Sequence, residues 1–297
     1  MKISHPAFWP LILVITMAFW AGGYAFLKPI ANDIDPVLLG VLRFFFAGIV
    51  LLPLLSLQKQ RTLPPRREWL PLALLSLANV LPTPLLAISI ERTSIAVSSI
   101  LVNTNPLWVA LLAPFLISEH LTWRQRGCVA IGFVGVLLVI LNGQNPWTLI
   151  QSDYFLGSLI LLISAIDIAL FSIFVKRYVE RYGGLYVTTI NVTVGSLLLL
   201  LISIVQGNFW SIAEVSLRTI WFCMLLGILS TALPYMIWNS SMQHLKASVA
   251  ASYKLLIPIF STILATLLFQ ETISIWIILG MAMTSVGIYA VHRGEPG

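Results

Sequence analysis

Ten apolar stretches of roughly 20 residues leave this chain little choice of fold. They run approximately 8–30, 36–57, 69–90, 94–117, 125–142, 155–176, 185–206, 218–240, 247–269 and 274–292. Each is long enough to cross a hydrocarbon core about 30 Å thick as a helix. The connections are short and punctuated by Pro, Gly, Asn and charge, as in NDIDP, QKQRTLPPRRE and NGQNPW. Charged residues make up 9% of the chain, against about 25% in a soluble domain, so a water-facing surface cannot be covered. The expectation is an all-α integral membrane protein of ten transmembrane helices. The first stretch follows Lys2 as a signal peptide would. It is too long, lacks a small-residue cleavage site and precedes nine others, and is read as retained.

The stretches fall into two sets. Pro82, Pro106, Glu119 and Gly135 recur as Pro234, Pro258, Glu271 and Gly287, each displaced by 152 residues. The period holds an odd number of crossings, so the copies are expected upside down relative to each other, a construction that recurs in alternating-access carriers. The division expected is a first five-helix repeat over 1–143 and a second over 144–297, together one membrane domain. In the earlier part of each half the displacement is 148 residues and sets Arg43 against Asn191. In the fifth and tenth stretches Cys128, Gly132 and Gly135 match Gly280, Thr284 and Gly287. Small residues at i, i+4 and i+7 make a smooth helix face. It serves either packing within the bundle or a homodimer contact through stretches 5 and 10.

Lys and Arg set the orientation. With the N-terminus cytoplasmic, twelve of them (among them Lys2, Arg66, Arg124, Lys176 and Arg293) collect at inner ends, and only Lys28, Arg92 and Arg218 at outer ends. That positive-inside bias predicts cytoplasmic N- and C-termini. It makes the net charge of +6 a topology signal and not a nucleic-acid surface. Cys128 and Cys223 fall inside stretches and offer neither a disulfide framework nor a CxxC metal spacing. The four His residues lie at stretch ends or in loops, and HExxH is absent. No metal, no cofactor and no enzymatic activity are expected.

Ten stretches in two halves, with a proline followed thirteen residues later by a Glu closing the fourth (Pro106, Glu119) and ninth (Pro258, Glu271), resemble the drug/metabolite transporter superfamily, EamA type. The resemblance covers nearly the whole chain. It implies a carrier of small metabolites, often amino acids or related compounds leaving the cell. It also implies a central cavity lined mainly by stretches 1, 3, 4, 6, 8 and 9, with 5 and 10 peripheral. The chain departs from the family pattern before the ninth-stretch proline, where Ile257 replaces a polar or acidic residue; its counterpart is Asn105.

Ionisable groups inside a bilayer are costly and point to function. Three sit well inside the stretches: Arg43, Asp167 and Lys254. Asp167, the one deep acid, either carries a coupled proton, contacts substrate, or pairs with Lys254 or Arg43. Lys254 precedes Pro258 by one turn, where a proline-opened helix would let a cation meet a carboxylate or phosphate; the alternatives are snorkelling or pairing with Asp167. Arg43, nearer its outer end, suits a structural, snorkelling role. Asn79, Asn103, Asn105, Asn191 and Asn239 cluster at matching depth as interhelical glue or cavity lining. On one helix Asn103 and Asn105 point about 200° apart, which favours Asn103 for the cavity. Trp20 and Tyr24, Tyr235 and Trp238, Tyr253 and Trp108 are the candidate aromatic wall. Trp20 and Trp238 fit core packing nearly as well. Glu119 and Glu271 read as a pair of gates or, more plainly, as carboxylates satisfying the next helix starts near Thr122 and Ser274.

The substrate-binding set expected is therefore Trp20, Tyr24, Asn79, Asn103, Trp108, Asp167, Tyr235, Trp238, Tyr253 and Lys254. The partners expected are a small-molecule substrate, the lipid bilayer and protons as a candidate coupling ion, with no nucleic acid. The function expected is a secondary transporter in a bacterial inner membrane, exporting amino acids or related compounds by alternating access. An uncoupled facilitator and a non-transporting sensor or scaffold are the rivals.

Overall fold

The computed structural model describes residues 8–57, 64–116, 122–241 and 253–293, and among them every regular element is helical. The helices are α1 (Phe8–Leu27), α2 (Pro36–Ser56), α3 (Trp69–Val80), α4 (Pro82–Ile90), α5 (Ile95–Val102), α6 (Asn105–Leu116), α7 (Trp123–Leu141), a one-turn α8 (Pro146–Leu149), α9 (Asp153–Tyr182), α10 (Gly184–Val205), α11 (Leu217–Gly227), α12 (Leu233–Ser241), α13 (Leu256–Phe269) and α14 (Ile275–Arg293). Eight helical stretches are long and apolar enough to cross a membrane, and Leu256–Phe269 and Ile275–Ala290 are shorter apolar helices. Large apolar side chains face outward all round the bundle, Phe115 at 82% exposure and Leu267 at 73% among them. A surface of that kind is stable against hydrocarbon and not against water.

Most helix starts follow from local chemistry. Asp35 accepts from the amides of Val37 and Leu38 (both 3.0 Å) ahead of Pro36, because the first turn of a helix has no internal acceptors for its donors. Thr122 and Gln125 form a reciprocal capping box on α7. Ser94, Ser152 and Ser216 cap α5, α9 and α11 in the same way. Asn142 closes α7 in the left-handed region at φ 45°, a conformation that its short polar side chain tolerates.

The stretches marked over 69–90, 94–117 and 218–240 are not single regular helices. The first divides at Leu81, between α3 and α4, and the second at Asn103–Thr104, between α5 and α6. The third carries a π-helical turn, Ile228–Ala232, between α11 and α12. The ninth enters α13 through a turn at Lys254–Leu255. Pro82, Pro106, Pro234 and Pro258 stand at or just after these places, each lacking the N–H that would continue the helix. Irregular backbone at membrane depth survives only where protein buries it or a wet cavity receives it. The breaks therefore mark where a cavity should be. The sixth stretch runs the other way: α9 continues through KRYVERY to 30 residues and stops at Gly183, φ 85°.

Outside the breaks, α7 and α14 lie side by side. A side chain at Gly135 would meet the Gly280 carbonyl and the Thr284 amide at 2.7 Å, and one at Gly287 would meet the Cys128 carbonyl at 2.7 Å. The two small-residue stripes thus face each other within one chain. The helix pair is tied at one end by Ser274 Oγ, which donates to Asn142 Oδ1.

Each end of the bundle carries one ion pair among the described residues. At one end Arg181 Nη1 meets Glu68 Oε1 at 2.7 Å, with Tyr182 donating to Oε2 at 2.8 Å. At the other Lys28 Nζ stands 3.5 Å from Glu91 and donates to the Ile90 carbonyl at 2.8 Å. Glu271 sits at this second end and accepts from the amides of Ile95 (2.9 Å) and Ala96 (3.4 Å), 176 and 175 residues away in sequence. The expected partner of that carboxylate is the next helix start, near Ser274; its actual partner is the start of α5. Ser274 already serves its own helix by accepting from Ile277 N (3.2 Å), which leaves Glu271 to bind α13 to α5. Its counterpart Glu119 and the side chain of Asn239 lie outside the described residues.

Candidate functional site: a polar cavity among broken helices

The broken helices surround a cavity of about 950 Å³. It reaches Leu54, Leu57 and Gly183 toward the Glu68 end, while Lys28, Glu91 and Glu271 at the opposite end are not part of its wall. Its lining comes from α1 (Trp20, Tyr24), α2 (Arg43), α3 and α4 (Asn79, Thr83), the α5–α6 break (Asn103, Asn105), α9 (Ile168, Phe171, Ser172), α10 (Thr188, Asn191), the π turn and α12 (Thr231, Tyr235, Trp238), and Lys254. Beyond stretches 1, 3, 4, 6, 8 and 9, stretches 2 and 7 also contribute. Stretches 5 and 10, which form the α7–α14 pair, do not.

Three aromatic rings from two helices meet on one side. Trp20 packs edge-on against Tyr235 (centroids 5.9 Å, interplanar angle 83°) and tilted against Trp238 (5.7 Å, 52°). Lys254 Nζ stands over both indoles, 4.6 Å from the Trp238 centroid and 5.5 Å from that of Trp20. The electron-rich ring faces hold an ammonium that would otherwise be bare. Lys254 thus neither snorkels nor pairs with Asp167: no ion pair of either residue occurs among the described residues.

Arg43 is fixed differently. Its Nε donates to Thr231 Oγ1 at 3.0 Å and its Nη1 to Thr83 Oγ1 at 3.2 Å. Thr231 can accept because its own proton goes to the Leu226 carbonyl, five residues back across the π turn (2.9 Å). Arg43 therefore points into the cavity with guanidinium donors to spare, and the snorkelling role expected for it is not what the structure shows. A threonine beside Pro82 and another just before Pro234 were the sequence signal for this arrangement, and it was missed.

The amides divide by environment. Asn103 Nδ2 donates to Tyr24 Oη at 3.2 Å and to the Ser99 carbonyl at 2.8 Å, joining α1 to the α5–α6 break. Asn105 Nδ2 donates to the Val102 carbonyl at 3.2 Å. Both side chains line the cavity. The choice between them assumed a continuous helix, and the break removes the 200° separation. Asn191 accepts from Ser76 Oγ at 3.1 Å, as glue between α10 and α3.

Seven of the ten expected residues line the cavity: Trp20, Tyr24, Asn79, Asn103, Tyr235, Trp238 and Lys254. Three stand off its wall. Trp108 turns to α7 and packs edge-on against Phe133 (4.9 Å), its indole N–H buried without an acceptor among the described residues. Tyr253 packs on the hydrophobic core. Asp167 lies one turn before Phe171 and keeps one carboxylate oxygen buried with no hydrogen-bond partner among the described residues. No group of three or more His, Cys, Asp or Glu side chains among the described residues could hold a metal ion.

Comparison with known proteins now bears on this geometry. The EamA-like transporter family model matches the chain twice, over residues 7–141 and 155–293. An uncharacterized transporter of Archaeoglobus fulgidus is 25% identical over 282 residues, covering 94% of this chain and 95% of its own length. The uncharacterized transporter YoaV of Bacillus subtilis is 24% identical over 279 residues, 94% of each chain. A WAT1-related chloroplastic protein of Arabidopsis thaliana is 26% identical over 294 residues, 96% of this chain and 69% of that one. A crystal structure with 18% sequence identity superposes with a TM-score of 0.66 over 97% of this chain and 98% of its own, and so shares the fold. With matches over both halves of a bundle whose helices break around one cavity, this multi-pass membrane protein belongs to the EamA-like transporter family.

Proposed function

We propose that this chain is a secondary transporter of a bacterial inner membrane that exports small organic metabolites, amino acids or compounds related to them, by alternating access. The observation that carries the reading is a cavity at membrane depth whose described wall runs toward one end of the bundle and stops short of the other. The wall reaches Leu57 and Gly183, whereas Lys28 on Ile90 and Glu91 and Glu271 on Ile95 and Ala96 bridge helices at the opposite end, outside it. A scaffold would have no reason to keep a hollow with cations and amides in its wall at membrane depth. The positive-inside bias makes the Leu57 end cytoplasmic. Ten crossings in two inverted repeats, 1–143 and 144–297, follow from the 152-residue displacement, and the two family matches support that division.

Proton exchange at Asp167 is the coupling proposed. One of its carboxylate oxygens is buried with no hydrogen-bond partner among the described residues, and it is the site proposed for the coupled proton. Purified protein in liposomes should show solute flux that responds to a pH gradient, and Asp167→Asn should abolish that response. A variant with unchanged pH dependence would remove the assignment. The second reading is uncoupled facilitation, favoured by the position of Asp167 off the cavity wall. It predicts flux indifferent to the gradient in the wild type as well.

A further inference from the structure

The cavity has an unbalanced charge. Arg43 and Lys254 both line it, and neither Asp nor Glu is among its described lining residues. Both cations are held by neutral groups, Arg43 by the hydroxyls of Thr83 and Thr231, and Lys254 by the indole faces of Trp20 and Trp238. Neutral partners position a cation without cancelling its charge. At membrane depth two uncancelled charges are costly unless a counter-charge arrives. The guanidinium keeps donors free in the planar fork that suits a carboxylate or phosphate.

The same arrangement removes what a solute cation would need. An ammonium in a cavity is best received by a carboxylate or by aromatic faces; the amide and hydroxyl oxygens of Asn79, Asn105 and Ser172 in this wall offer dipoles but no counter-charge. No carboxylate is among its described lining residues, and Lys254 already stands over the faces of Trp20 and Trp238 that could serve. A zwitterion would meet partners for its anionic group and repulsion at its cationic one.

We infer that the transported solute is bound as a net anion, its carboxylate or phosphate engaged by Arg43 and Lys254, and that parent zwitterions and cations are discriminated against. This rests on the transporter reading above and narrows it to acylated, deaminated or phosphorylated relatives of the amino acids proposed there.

Three charge forms on one skeleton test it: N-acetylphenylalanine (anion), phenylalanine (zwitterion) and phenylalaninamide (cation). The same three forms of alanine cover a smaller skeleton. Phenyl phosphate separates phosphate from carboxylate. Binding to the purified full chain is measured by calorimetry. The expected result is an anion bound at least tenfold more tightly than its zwitterion, with the amide weakest. Lys254→Met and Arg43→Gln should each weaken anion binding at least tenfold, and Lys254→Arg should retain most of it. Because the charge series uses the wild type, a variant that fails to fold does not spoil the test. A zwitterion or amide bound as tightly as its anion overturns the inference, and so does failure of every anion to bind. Anions that bind but show no flux in liposomes would sink the transporter reading and leave only the preference of the cavity for anions standing. Flux of zwitterions alone would do the opposite.

Discussion

The α7–α14 pair and the ring of broken helices around the cavity both carry the internal repeat and put it to opposite uses. At α7–α14 the corresponding positions are small in both copies, Cys128, Gly132 and Gly135 matching Gly280, Thr284 and Gly287, and the two stripes meet each other. Close backbone approach, tied at one end by Ser274 and Asn142, makes a rigid seam. Around the cavity the corresponding positions differ. Val102 stands where the other half has Lys254, and Arg43 where it has Asn191. The prolines are shared, so both halves break, but only one side chain of each pair is charged. Symmetry thus supplies the frame, and departures from symmetry supply the chemistry.

The seam should be the easier of the two regions to destroy. Gly135→Leu drives a side chain into the Gly280 carbonyl and the Thr284 backbone, an overpacking that costs about 3 kcal/mol. In a detergent melt we expect Tm to fall by roughly 10 °C, or the protein to lose monodispersity. A Tm within a degree of wild type would mean that the two helices do not meet as described. Smaller in effect, Glu271→Ala removes the carboxylate that binds α13 to α5 at the Lys28–Glu91 end. A hydrogen bond to a charged group is worth about 2 kcal/mol. The amides of Ile95 and Ala96 should then exchange with deuterium more than tenfold faster, while those in α7 and α14 keep their protection. Equal loosening of both regions would erase the distinction between frame and gate.

Much of this contrast is legible in the sequence. The apolar stretches, the four recurring residues and the Gly/Thr stripes describe a bundle whose prolines sit where the helices break. Trp20, Tyr235, Trp238 and Lys254 could be named because aromatic and charged residues at membrane depth are rare and costly. What could not be read was direction. Asn105 joins Asn103 on the wall because the helix stops between them and the 3.6-residue period no longer applies. Arg43 turns inward because the π turn sets Thr231 in its path, and nothing in FFFAGIV around it announces that. Trp108 turns outward to Phe133, a residue on a different helix with no sequence link to it. Glu271 reaches Ile95 across 176 residues because Ser274 had taken the local role.

The central claim is that the cavity is a carrier's binding site, open to one side at a time. Solute counterflow into liposomes preloaded with the same unlabelled solute tests it most directly, with radiolabelled organic acids, amino acids and nucleosides as the panel. The account predicts saturable uptake of at least one organic acid, accelerated by solute on the far side and lost in Lys254→Met protein that still melts like the wild type. Uptake that rises linearly with concentration and ignores solute on the far side, or no uptake of any member of the panel, would contradict it.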